Sequence, residues 1–303
     1  MCQLSPSSDK YGINAVVYDN LCYANEYYED VNFIYGDVTD FKKLKKHLKE
    51  ADTVVWLAGI VGDAACNVNP SRAIATDVEA IKVLADNFNG KIIFMSSCST
   101  YGRNEEVVNE ESELNPLSIY AENKIKAEKI LKNKENAYIL RLGTLHGTSY
   151  RMRFDLVINV LTMHAVRNKR IEIFGGRQYR PLLSVKDVAS FIKQLVENDY
   201  APGTYNVASE NLAIVQIGEM IKELIPETEV KILDSEFEDH RNYRVDYSKA
   251  EKLLKFKAKN LVRDSIKDIE EMLRSGRIKN TFLPKYINHA TLTNAEEPVY
   301  AKS

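Results

Sequence analysis

A doubly wound parallel α/β sheet with a smaller C-terminal α/β lobe is the architecture this sequence predicts, and three observations carry it. Short β-branched runs alternate with helical patterns through the first half of the chain. An early run, GINAVVYDNL (Gly12–Leu21), stops abruptly on an acid, Asp19. Beyond about residue 150 the alternation loosens into helices with short strands among them. Strands alternating with helices imply right-handed βαβ crossovers, which place helices on both faces of a parallel sheet.

The first strand-like run spans Gly12–Tyr18, and a strand closing on a carboxylate suits the second strand of a dinucleotide-binding unit. VNFIYGDV (Val31–Val38) follows, then FKKLKKHLKE, with Phe41, Leu44 and Leu48 on one face and a solvated lysine face opposite. TVVWLAG (Thr53–Gly59), a helical stretch near Ala73–Asn89 and KIIFMSS (Lys91–Ser97) come next, then a helix around Ser118–Lys132 and AYILRLG (Ala137–Gly143). In the looser half, helical patterns fall near Phe154–Val166, Val185–Val196, Ile214–Leu224 and Leu261–Ser275, with strands IEIF, GTYNV and VKIL. The tail from Ile278 reads as a polar arm.

The 303 residues can bury a large core, and 45% hydrophobic with 28% charged residues is ordinary for a globular protein. A net charge of -2 points to no nucleic acid and no membrane surface. No apolar run reaches the roughly 20 residues a bilayer span needs, and no signal peptide opens the chain, so a cytoplasmic protein is expected. The four cysteines, Cys2, Cys22, Cys66 and Cys98, are scattered without metal-ligand spacing, so no metal site is expected.

Chemistry concentrates where KIIFMSS runs into SSCSTYG and then YAENK. Ser118 can cap the helix behind Pro116, which puts Tyr120 and Lys124 on one face at i and i+4. A tyrosine working as a base near pH 7 needs its pKa lowered by about three units, roughly 4 kcal/mol. A cation about 4 Å away supplies that at an effective dielectric of ~20. Alone, the Y-x-x-x-K pattern is weak, because surface helices contain it by chance.

The motifs VVYDNL, YGDVTD, WLAGIVGD, SSCSTYG, YAENK and RLGTLHG follow one another at sensible intervals. RMRFDLVINVLT, FGGRQYRPLLSVKDVA, GTYNVAS and DHRNYRVDYSKAEKLLKF continue the series. As a set they resemble the extended short-chain dehydrogenase/reductase family, the NAD-dependent nucleotide-sugar epimerases and dehydratases, from Gly12 to about Gly276. The resemblance implies a Rossmann-type NAD-binding domain over 1–150 and a mainly substrate-binding lobe over 151–276, with some segments returning to the sheet. An arm over 277–303 completes the expected organisation, and a homodimer packed through Ala73–Asn89 and Ser118–Lys132 goes with it.

It also implies roles. Asp19 and Asn20 would take the adenosine ribose, Asp37 and Val38 would flank the adenine, and Leu57, Ala58, Gly59 and Ser96 would line the cofactor. Ser97, Tyr120 and Lys124 would be catalytic, with Lys124 also holding the nicotinamide ribose. Ser97, Ser99, Thr144 and Asn159 would meet the sugar nucleotide, and Arg180 and Arg241 its diphosphate, for which arginine forks are suited. Other readings stay open. Asp37 can instead cap the helix at Thr39–Phe41, and Arg180 and Arg241 can be surface ion pairs. His146 and His164 sit among apolar neighbours and read as packing residues, as does Cys98. Arg151 and Arg153 lie within reach of the ligand or not, undecided by the sequence.

In the reaction so implied, NAD-dependent epimerisation through a transient keto intermediate, Tyr120 moves the hydroxyl proton and Ser97 steadies the oxygen charge. A 4,6-dehydratase needs an acid and base directly after the serine, where Cys98 and Ser99 stand, so epimerase is preferred, with a ketosugar reductase next. The family's glycine loop should precede VVYDNL within a βαβ unit of ~30 residues. The residues ahead of Asp19 contain one glycine, Gly12, and no G-x-x-G-x-x-G. The first strand and pyrophosphate cradle are therefore expected to be missing because this chain lacks its true N-terminus, with a non-catalytic binding protein, or an edge rebuilt by the first dozen residues, as the alternatives. Each sheet group stranded by that loss costs about 1–3 kcal/mol if buried unpaired.

Overall fold

The computed structural model describes residues 13–23, 32–233 and 241–294. Residues 1–12, with Cys2 and Gly12, lie outside the described residues, as does the tail from 295.

The central sheet is parallel, ordered β10-β6-β4-β3, from β3 (Thr53–Trp56), β4 (Lys91–Ser97), β6 (Ala137–Leu142) and β10 (Gly203–Val207). Its middle strands are mostly apolar because both faces are covered. Along β4, Ile92 and Phe94 pack to one side with α1 (Phe41–Leu48), α4 (Ala80–Asn87) and α5 (Ile119–Leu131). Ile93 and Met95 point the other way, against Val188, Phe191, Ile192 and Leu195 of α7 (Val185–Glu197). The strand's period of two thus divides one apolar run between two cores.

β1 (Val16–Asp19) and β2 (Asn32–Tyr35) pair in parallel with each other, as a separate two-stranded sheet. Among the described residues no strand lies between β1 and β3. Thr53, Val54 and Val55 are only partly buried, so water reaches that edge and the penalty expected for buried, unpaired groups is reduced. Tyr18 and Val38 still pack against the core around Trp56. Tyr18 crosses Gly36 so closely that a methyl group there would lie 2.3 Å from the ring, and its hydroxyl donates to Asp37 O at 2.9 Å.

The second lobe combines β7 (Thr144–His146), β9 (Tyr179–Ser184) and β11 (Glu210–Ala213) with a parallel pair of β8 (Arg170–Phe174) and β12 (Glu229–Leu233). Its core lies among α6 (Val157–Asn168), α8 (Ile214–Leu224) and α10 (Val262–Arg274). Of the rest, β5 (Arg103–Val108) pairs with β13 (Asn242–Val245), and neither had a sequence signal.

The tail departs from the expected arm. Ile278 and Tyr286 are buried with Met152 and Phe154, and α11 (Asn288–Asn294) packs against α2 (Asp63–Val68). The reason is local chemistry: the Asn288 amide nitrogen donates to Asp155 Oδ2, its side chain donates to Val61 O, and Leu292 adds to the apolar cluster of Ile60 and Cys66. No helix among the described residues is long and apolar enough to cross a membrane, and no cluster of metal-ligating side chains occurs among them.

Candidate active site

Ser118 caps α5 by accepting from Ala121 N at 3.3 Å, which sets the helix phase. Tyr120, Lys124 and Glu128 then recur every fourth residue on the face turned to the sheet. Lys124 is buried, and its Nζ donates to Met95 O at 2.9 Å and sits 5.7 Å from the Tyr120 ring centre. Two residues beyond Met95, Ser97 closes β4. Its hydroxyl accepts from Ser99 N at 3.1 Å and lies 2.9 Å from Ser99 Oγ, curling the chain into the turn Cys98–Tyr101. Ser97, Ser99, Tyr120 and Lys124 thus gather at the carboxyl end of the parallel strands, where open α/β sheets bind ligands.

Burial raises the Tyr120 pKa, the negative Asp77 raises it further, and Ser97 and Arg153 only partly offset them. These side chains alone do not produce the lowered value that a base needs. Lys124 is pulled down by burial, with Asp77 its leading counterweight. Asp77 itself is pushed up to about 6 by burial.

Asp19, Asn20, Asp37 and Val38 come together at the carboxyl ends of β1 and β2. Asp19 Oδ1 accepts from Leu21 N at 2.6 Å, and burial raises its pKa. Burial would raise Asp37 too, but bonds from Thr39 and Asn20 and the charge of Arg72 hold it below the usual carboxylate range. Asp37 stabilises the turn at Thr39, whereas Asp40 caps the helix itself, accepting from Lys43 N.

Leu57, Ala58 and Gly59 continue β3. A methyl group on Gly59 would lie 3.0 Å from Asp77 Oδ1 and 3.8 Å from Lys124 Nζ, so a side chain there would crowd the Asp77 carboxylate. Carboxylates below β1 and β2, with hydroxyl and ammonium groups below β4 and α5, fit the ribose ends of a dinucleotide. Ser96 is occupied differently, its hydroxyl donating to Glu128 Oε1.

Thr144 opens β7 opposite Leu182. Asn159 is buried and spends its amide on Gly147 and on Arg153 O, which fixes the loop between them. Arg180 is buried and donates to the carbonyls of Tyr179 and Arg241, while the Arg241 guanidinium pairs with Asp63 at 3.2 Å. His146 is sealed against Ser265 and His164 bonds Asn168, which is packing chemistry. Cys98 is buried, its Sγ donating to Arg141 O. Arg153 acts electrostatically on Tyr120, whereas Arg151 binds Asn288 and Thr291.

Two groups here had escaped sequence reasoning. Glu128 was legible as the next step of the four-residue spacing. Asp77 was not, because nothing in TDVEAI marks an internal acid.

Among known proteins, UDP-glucuronic acid decarboxylase 6 of Arabidopsis thaliana is 26% identical over 244 residues, 74% of this chain and 70% of that one. The structure of UDP-glucose 4-epimerase from Thermotoga maritima with UDP-glucose matches at a TM-score of 0.78 and 21% identity, over 89% of this chain and 94% of the other. UDP-glucuronic acid 4-epimerase from Bacillus cereus, in complex with UDP-glucuronic acid and NAD, matches at 0.70 and 23%, over 81% and 82%. These two structures establish the fold. The family pattern extends over residues 3–208, well over half of the chain, so the protein belongs to the NAD dependent epimerase/dehydratase family, whose cofactor is NAD.

Proposed function

We propose that this protein epimerises a nucleotide sugar. The observation that carries the reading is Tyr120 one helical turn before Lys124, with Ser97 at the end of the adjoining strand. NAD, when bound, supplies hydride acceptance and return. Tyr120 exchanges a proton with the sugar hydroxyl, Ser97 donates to the oxygen as charge develops, and Lys124 contributes positive charge from below. Asp19, Asn20, Asp37 and Val38 are assigned to the adenosine end, and Leu57, Ala58 and Gly59 to the path between, whereas Ser96 is taken up by Glu128. Ser99, Thr144, Asn159, Arg180 and Arg241 are assigned to the sugar nucleotide. For Arg241 the Asp63 pair must open first.

Dehydration is disfavoured because Cys98 and Ser99 put no carboxyl group beside Ser97. A binding protein without turnover is the second reading, favoured by the Tyr120 pKa, which burial and Asp77 raise rather than lower. A homodimer through 73–89 and 118–132 goes with the first reading and is checked by light scattering.

The test is incubation with NAD and UDP-, GDP- and dTDP-hexoses, with UDP-glucuronic acid included, followed by proton NMR. A new epimer that vanishes in Tyr120→Phe supports the reading. Carbon dioxide release from the uronate alone would replace it with decarboxylation, and tight sugar-nucleotide binding without product would favour the second reading.

A further inference from the structure

The helix that follows β3 does not run straight. Between Pro70–Ile74 and Ala80–Asn87 the chain widens into a π-helical turn, Ala75–Glu79, a local form that recurs at functional sites. Asp77 lies in this turn, 2% exposed. Its Oδ1 accepts from Ile60 N at 2.9 Å, which ties it to the segment leaving β3. Oδ2 and both polar atoms of the neighbouring Asn123 are sealed from solvent without a well-formed hydrogen bond, an expensive arrangement for a carboxylate. The position of a methyl group on Gly59 is within 3.0 Å of Asp77 Oδ1 and 3.8 Å of Lys124 Nζ, so the two charges face one another across the bare Cα of that glycine.

We propose that Asp77 is a positioning residue of the candidate site, its carboxylate being the counter-charge that keeps Lys124 an ammonium, held on Met95 O beneath Tyr120. The inference rests on the roles assigned above to Tyr120 and Lys124. A buried ammonium that donates to a carbonyl loses its proton readily, since burial disfavours charge and a neutral acceptor does not restore it. Among the described residues, the ionisable groups around the pair are Tyr120 and Glu128 on α5, Cys66 on α2 and Arg153 from the loop before α6. Glu128 is already engaged by Arg141, and Cys66 is a neutral thiol raised to about 12 by burial and by the carboxylates of Asp77 and Asp63. Asp77 is left as the anion able to balance Lys124, and the π-turn is the backbone feature that delivers it there.

Asp77→Asn keeps the shape and the acceptor for Ile60 N but removes the charge. The full chain is labelled with 15N-lysine, and the Lys124 Nζ signal is assigned by its loss in Lys124→Arg. The expected result is a Lys124 midpoint lower by at least one pH unit in Asp77→Asn, a tenfold loss of proton affinity. A folded Asp77→Asn chain with an unshifted midpoint overturns the proposal. Should the variant not fold, the wild type decides. Coupling is reciprocal, so the Nζ shift must carry a second inflection at the Asp77 midpoint, and its absence overturns the proposal equally. Neither readout needs turnover, so coupled titrations in an inactive chain would sink the epimerase reading alone.

Discussion

Glu128 and Arg141 form an ion pair 2.7 Å long with side chains 2% and 1% exposed, and it binds the Tyr120 helix to the middle of the sheet. The remaining valences are filled: Ser96 donates to Glu128 Oε1, and Arg141 Nη1 donates to Tyr101 OH at 2.8 Å. Lys124 lies one turn from Glu128, so the pair sets the height at which Lys124 meets β4. Breaking such a pair leaves a buried guanidinium uncompensated, at about 3–5 kcal/mol. Glu128→Gln should therefore lower the unfolding free energy from urea titration by an amount of that order, while Glu122→Gln, on the exposed side, should not. Equal values for both variants would contradict the account.

Tyr120→Phe should leave stability close to that of the wild type and reduce turnover about 10²–10⁴-fold with KM little changed. The reason is that the phenol matters for proton movement, whereas the ring packs against the cluster of Ile60 and Cys66 either way. A variant with raised KM and intact kcat would make Tyr120 a binding group.

Two buried titrating groups pull stability in opposite directions with pH. His146 is held neutral by burial, its pKa lowered to about 4, so the unfolded state binds more protons between there and its ordinary 6.5. Its contribution rises with pH across that window and is lost on acidification. Asp77 is raised from 3.8 to about 6, so the folded state binds more protons in between, and its contribution falls as pH rises. Each effect is about 3 kcal/mol over its window, so within the overlap they nearly cancel. Taken from pH 7 to pH 4, His146→Gln should lose less stability than the wild type and Asp77→Asn should lose more. Denaturant titrations at both pH values check the signs, and parallel behaviour of the two variants would refute them.

The sequence was most informative where one pattern served one environment. The apolar run of β4, the amphipathic face of α1 and the Ser118 cap all follow from local residue choice, and each formed within a residue or two of its expected place. Segments whose partners are remote were silent. β5, reading RNEEVV, is polar and forms by pairing with β13 more than 130 residues later. The folded tail after Ile278 depends on Asp155 and Val61 for its bonds. The site divides the same way: Tyr120, Lys124 and Ser97 were legible from spacing and motif, whereas Asp77 enters only through the π-turn that carries it inward.

Trp56 reports on the cofactor path. It is 5% exposed, packed among Leu44, Leu84 and Phe94, and its indole immediately precedes Leu57-Ala58-Gly59. NADH bound along that path should quench Trp56 and receive energy from it, with saturation in the micromolar range. Asp19 is assigned to the ribose of the same ligand, and a hydrogen bond to a charged group is worth about 1.5–3 kcal/mol. Asp19→Asn should therefore weaken NADH binding by about 10-fold or more, with the amplitude at saturation unchanged because the same complex forms once the site is filled. Trp56→Phe should abolish the signal while leaving the affinity measured by equilibrium dialysis intact. Unaltered affinity in Asp19→Asn would remove Asp19 from the cofactor site, and no saturable quenching in a folded chain would leave the strand ends unable to hold NADH.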